Sequence, residues 1–130
     1  MTQSDVLMTL YRIQDAQGRG PWRPGFSMKW IDPNKDDSLC PPMMADFPKW
    51  RAAIDRAALQ GLCHFGCCVR GMAGVHRWFT PDELGRLRGF GYNLVDANSL
   101  TALCESTNQI IGASRWPLSY LPSVDWRIAA

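Results

Sequence analysis

The stretch Phe79-Thr-Pro-Asp-Glu83-Leu84 constrains this fold more than any other. Thr80 is placed to cap a helix, Pro81 to take its first position and Glu83 its third. A threonine hydroxyl and a glutamate carboxylate then satisfy, reciprocally, two backbone donors that a helix start leaves open. Phe79 before the cap and Leu84 at the fourth helical position have hydrophobic-staple spacing. Gly89 or Gly91 can stop the helix with a positive φ. Residues 92–97 then read as a buried strand. The signal places a helix and its neighbours and is silent on chemistry.

The rest of the chain is read around that helix. Residues 6–13 are apolar and form the expected first strand. Residues 15–25 form a loop, because three glycines and two prolines exclude a regular helix. Residues 26–31 are expected to be a short extended piece, 32–37 a turn and 39–44 irregular. Asp46 is expected to cap a helix over 47–60, with Pro48 tolerated in the first turn. Phe47, Trp50, Ile54, Ala57 and Ala58 fall on one face of that helix, and Gly61 closes it. A short strand at 62–65 and a short helix or turn at 71–78 come next. Strands at 100–104 and 109–113 flank a turn at 105–108, and 124–128 reads as an edge strand or extended tail. The expectation is one compact α+β domain over 1–130. Two or three helices pack on a small, mainly antiparallel sheet.

The 130 residues fit a single domain, commonly about 100–150. A formal net charge of +2 is too small to argue for nucleic acid or a membrane surface. No apolar run approaches the roughly 20 residues of a membrane span. The start, Met1-Thr-Gln-Ser-Asp5, carries no basic region, so a secretory signal is not expected. Five cysteines, an odd number, lie in apolar stretches, which points to reduced thiols and a cytoplasmic setting. Six tryptophans are many for this length and serve as core anchors or mark a contact surface.

Three groups of residues are candidates for chemistry. The loop Gly18-Arg-Gly-Pro-Trp22-Arg-Pro-Gly25 puts Arg19 and Arg23 beside Trp22, with Arg12 on the strand before it. Arginine suits bidentate binding of carboxylate or phosphate, and tryptophan stacks on planar groups. The glycines match neither a Walker motif nor a dinucleotide fingerprint, and a tight loop with solvated arginines is the plainer reading. Cys63, His64, Cys67, Cys68 and His76 are soft ligands close in sequence, but no C-x2-C pair is present. Core thiols are the expectation, with Cys63, Cys67, Cys68 and His76 as the alternative metal set and a Cys–His nucleophile as a third reading. Glu105, Gln109 and Asp96 stand at strand ends, where a polar residue either caps a turn or orients a sugar hydroxyl.

Leu10-Tyr-Arg12, Gly18-Arg-Gly-Pro-Trp22, Trp78-Phe-Thr-Pro-Asp-Glu83 and Asn108-Gln-Ile-Ile111 resemble stretches of small proteins of phages and prophages. The layout is also similar to the ADP-ribosyltransferase fold. The first resemblance implies a phage-type inhibitor that binds a bacterial host protein, such as an anti-CRISPR or other anti-defence protein. Such a protein needs no cofactor, and Arg19, Trp22 and Arg23, of residue types that dominate interface energetics, are the expected contact residues. The second implies an NAD-dependent enzyme that modifies a host target, with Arg12 holding NAD and Glu105 or Gln109 acting at the ribose. The E-x-E or Q-x-E pair and the S-T-S motif of that fold are absent from the chain.

Overall fold

The computed structural model describes residues 9–35 and 40–129. Its strands are β1 (Leu10–Gln14), β2 (His64–Arg70), β3 (Asn93–Asp96), β4 (Thr101–Glu105) and β5 (Ile110–Ser114). Its principal helices are α1 (Trp50–Leu59), α2 (Gly71–Trp78) and α3 (Pro81–Gly89). The strands form one antiparallel sheet in the order β3-β1-β2-β5-β4, and the three helices pack against it, as the α+β expectation requires.

The sheet is uneven. β2 and β5 pair over five registered positions, from His64↔Ser114 to Cys68↔Ile110. β1 and β2 pair at only two, Leu10↔Arg70 and Tyr11↔Val69. Beyond Tyr11 the two central strands part. Strand alternation then divides the core. Ile13, Val69 and Leu94 face a large cluster with Trp30, Val75, Trp78, Phe79, Leu84 and Leu87, under α2 and α3. Leu10, Cys68 and Ile110 face a smaller one with Ala97, Leu100 and Leu118 on the opposite side.

The start of α3 forms as its spacing demands. The Thr80 hydroxyl accepts from the Glu83 amide at 3.2 Å and the Glu83 carboxylate accepts from the Thr80 amide at 2.9 Å. Phe79 and Leu84 are both buried in the large cluster. Gly91 ends the helix at φ +85, with its amide and that of Tyr92 capping the carbonyls of Arg88 and Leu87. Gly61, at φ +80, ends α1 in the same way.

Several boundaries differ from expectation, each for a physical reason. Asp46 does not cap α1; Lys49 holds that position, and α1 starts at Trp50 rather than at residue 47. Pro48 disfavours helical backbone at Phe47, which sits at φ −129 and ψ 81. Asp46 instead closes a helical turn of its own, Met43–Asp46, which begins inside the stretch 39–44 expected to be irregular. The piece at 26–31 is not extended. It holds a 3-10 turn, Ser27–Lys29, that directs Phe26 and Trp30 to the large cluster. β2 runs well past the expected 62–65. Residues 124–128 are not a strand either. Val124 donates to the Leu94 carbonyl and Ser123 bridges Val95, so the tail covers the β3 edge before a 3-10 turn at Trp126–Ala129. In the first expected strand, residues 6–8 lie outside the described residues. Among the described residues no helix is long and apolar enough to cross a membrane.

Candidate binding cleft

Where β1 and β2 part, the large-cluster face of the sheet opens into a cleft of about 880 Å³. Tyr11, Ile13, Phe65, Val69 and Ile111 form its floor and share one face by alternation. Ile54 of α1 closes one side, and Val75 and Trp78 of α2 the other. Residues 20–23 and 40–43 line its edges. The volume lies in the range of about 300–1,000 Å³ of small-molecule and anchor-residue pockets.

Arg12 occupies the parting of the strands. Its Nε donates to Gln14 Oε1 at 2.9 Å, Nη1 to the Cys67 carbonyl at 3.0 Å and Nη2 to the Gly18 carbonyl at 3.0 Å. The side chain thus satisfies the Cys67 carbonyl of β2, which a continued ladder would have used. Gly66 permits this approach, since a Cβ there would stand 2.8 Å from Arg12 Cζ and from Leu118 Cδ1. Burial pulls the Arg12 pKa below the ordinary arginine value, and the group stays charged at neutral pH.

The loop residues divide. Arg19 is exposed and pairs with Asp15 at 2.8 Å. Arg23 lines the cleft, donates Nε and Nη2 to the Tyr92 hydroxyl at 3.2 and 3.0 Å, and lies 4.5 Å above the Phe26 ring. Trp22 stands at the rim, 41% exposed, with its ring edge-on to Trp30 at 4.9 Å and to Trp78 at 6.1 Å. The structure therefore brings Arg12, Trp22 and Arg23 to one cleft and leaves Arg19 outside it.

Arg12, Glu105 and Gln109 do not converge on one reacting group. β2 and β5 lie between β1 and β4, a separation of about 14 Å at normal strand spacing. Glu105 makes a bidentate pair with Arg70, at 2.5 and 2.8 Å, and these hydrogen bonds hold its carboxyl below the usual range. Gln109 lines the cleft, but its amide nitrogen donates to the Pro41 carbonyl at 3.0 Å and to Asp46 Oδ2 at 2.8 Å. Asp46 also accepts from Ser106 and Asn108. Asp96 accepts from the Asn98 amide as a turn residue.

Cys63, Cys67, Cys68 and Cys104 are free thiols. Cys67 and Cys68 are neighbours on β2 and so face opposite sides of the sheet, while Cys63 and His76 are exposed. Among the described residues no group of three or more His, Cys, Asp or Glu is placed to hold a metal ion. Burial pushes the Cys67 thiol up and that of Cys68 up to about 12, which leaves both protonated and poor nucleophiles at neutral pH.

Sequence reasoning missed the centre of the site. The Cys67 carbonyl and Gly66 belong to β2, beyond the Phe65 at which the expected strand stops. The usable signal was the unbroken Cys-Cys-Val run after Gly66, which continues the strand pattern. No family model, curated protein or solved structure matches this chain.

Proposed function

We propose that this protein acts by stoichiometric binding, with the cleft and its Trp22 rim receiving an apolar anchor from a partner protein. The observation that carries this reading is a contrast. The cleft is open and its floor apolar, whereas the polar groups suited to chemistry are engaged internally: Glu105 by Arg70, Gln109 by Asp46 and Pro41. A half-exposed tryptophan packed edge-on against two others is a rigid anchor of the kind that dominates interface energetics. In its biological form the protein is a phage-type inhibitor of a bacterial host protein or defence complex, working in the host cytoplasm. The absence of a disulfide among its five cysteines fits that compartment.

Capture from a bacterial lysate, followed by intact mass measurement, tests this. The expected result is a stoichiometric complex with no mass change on either protein. Trp22→Ala keeps the fold and weakens capture about 30-fold, for a hot-spot loss of about 2 kcal/mol. An NAD-dependent mass gain on the partner, abolished by changing Arg12 and Glu105, overturns the proposal. So does capture that is indifferent to Trp22.

A further inference from the structure

The residues around the cleft carry an unbalanced charge. Among the described residues its lining includes two charged side chains, Arg12 and Arg23, and no aspartate, glutamate or lysine. Among the described residues neither arginine has a carboxylate partner. Five other cations do: Arg19, Lys35, Arg70, Arg86 and Arg127 each pair with an acid. Arg12 and Arg23 make their hydrogen bonds to neutral oxygens instead.

Arg12 is also held ready. Three of its five N–H groups are given to Gln14, Cys67 and Gly18, so the guanidinium is fixed. Each terminal nitrogen keeps one N–H beyond these bonds, and a guanidinium takes a carboxylate bidentately. Gly20 borders these nitrogens and lines the cleft. A Cβ at that position would sit 3.6 Å from Nη2 and 3.9 Å from Nη1, and glycine leaves the approach uncovered. The Tyr92 hydroxyl that accepts from Arg23 also reaches the Gly20 carbonyl, at 3.4 Å. Both arginines therefore border the Gly20 end of the cleft, and apolar side chains make up most of the remainder.

We infer that the cleft selects an apolar segment of the partner that carries a carboxylate, with the fixed Arg12 guanidinium as its anchor and Arg23 as a second cation at the same end. This rests on the cleft being the partner site. The single fixed guanidinium favours a planar carboxylate, whose two oxygens match two N–H groups, and decyl phosphate tests the alternative that Arg12 and Arg23 together hold a dianion.

The test uses the intact protein and minimal probes, read by titration calorimetry and tryptophan fluorescence. Decanoate is expected to bind one per chain and at least tenfold more tightly than decan-1-ol, since a charge-assisted hydrogen bond at a fixed cation outweighs a neutral one. Decylammonium binds no more tightly than the alcohol. A pentapeptide with a C-terminal leucine binds as the free acid and loses at least tenfold as the amide. Gly20→Ala adds a methyl at ordinary contact distance and leaves the fold intact. It narrows the ratio of decanoate to decan-1-ol affinity severalfold, which a merely structural effect on the cleft would not do. Equal affinity for decanoate and decan-1-ol overturns the inference. Tenfold tighter binding of decyl phosphate overturns the choice of carboxylate. Binding of decanoate but of neither peptide overturns the assignment to a partner chain. A cleft that prefers carboxylates while partner capture ignores Trp22 faults the partner reading instead.

Discussion

At residue 66 a single methyl group would collide with the cation that fills the parting of the strands. An added Cβ meets Arg12 Cζ and Leu118 Cδ1, each at 2.8 Å, and the guanidinium is pinned by three hydrogen bonds. Gly66→Ala should therefore destabilise the protein by about 1–3 kcal/mol, the usual cost of overpacking. Urea denaturation measures it; an unchanged midpoint would mean that the strand shifts freely. Burial separates the cysteines in the same way. A thiol reagent should modify exposed Cys63 first and reach Cys68, with its pKa near 12, only on unfolding; mass mapping of partly labelled protein gives the order. Arg12 was placed on the first strand from sequence, and its suitability for a carboxylate was legible. What holds it was not, because the Cys67 carbonyl lies 55 positions away in the chain.

The best-read element is α3, and its cap reaches further than its own backbone. Glu83 is fully buried; Oε1 accepts from the Thr80 amide and from Lys35 Nζ at 2.6 Å, and Oε2 accepts from the Asp32 amide at 2.9 Å. The Thr80 hydroxyl in turn donates to Asp32 at 2.8 Å. The capping box is thus the fastening for residues 32–35. Thr80→Ala should cost about 1–2 kcal/mol, at the upper end for a lost cap. Glu83→Gln should cost about 3 kcal/mol, because it strands the buried Lys35 charge, and Lys35→Met should recover part of that loss in the double variant. Denaturant melts of the four proteins complete the cycle. The cap was legible because its residues are three apart, whereas its link to Lys35 carries no local pattern. Asp46 was misread for a related reason: Pro48 denies it the cap, and its partners stand about 60 residues downstream. Burial by itself raises the Asp46 carboxyl. Hydrogen bonds from Gln109, Ser106 and Asn108 outweigh that and hold it below the ordinary range. A depressed folded pKa adds stability that is complete above the unfolded value, near 4, and is lost as pH falls through the folded one. The stability gap between wild type and Asp46→Asn should accordingly narrow below about pH 4, as melts at pH 7, 4 and 3 would record.

Across the whole molecule, the α+β class followed from alternating apolar runs and punctuating glycines and prolines, but the strand order did not. β1 lies between β2 and β3, partners about 60 and about 80 residues away, and nothing local encodes such pairing. The two-rung join between β1 and β2 has a mechanical meaning. Pulled apart, the molecule has one weak stave: two backbone pairs hold the β3-β1 half to the β2-β5-β4 half, against five between β2 and β5. Arg12 is the extra rivet across that stave, binding β1 to the Cys67 carbonyl of β2. A carboxylate gripped by the same guanidinium would tighten the rivet from the cleft side. In an optical trap, the force needed to shear the halves should rise when decanoate is present and fall when Arg12 is shortened to methionine.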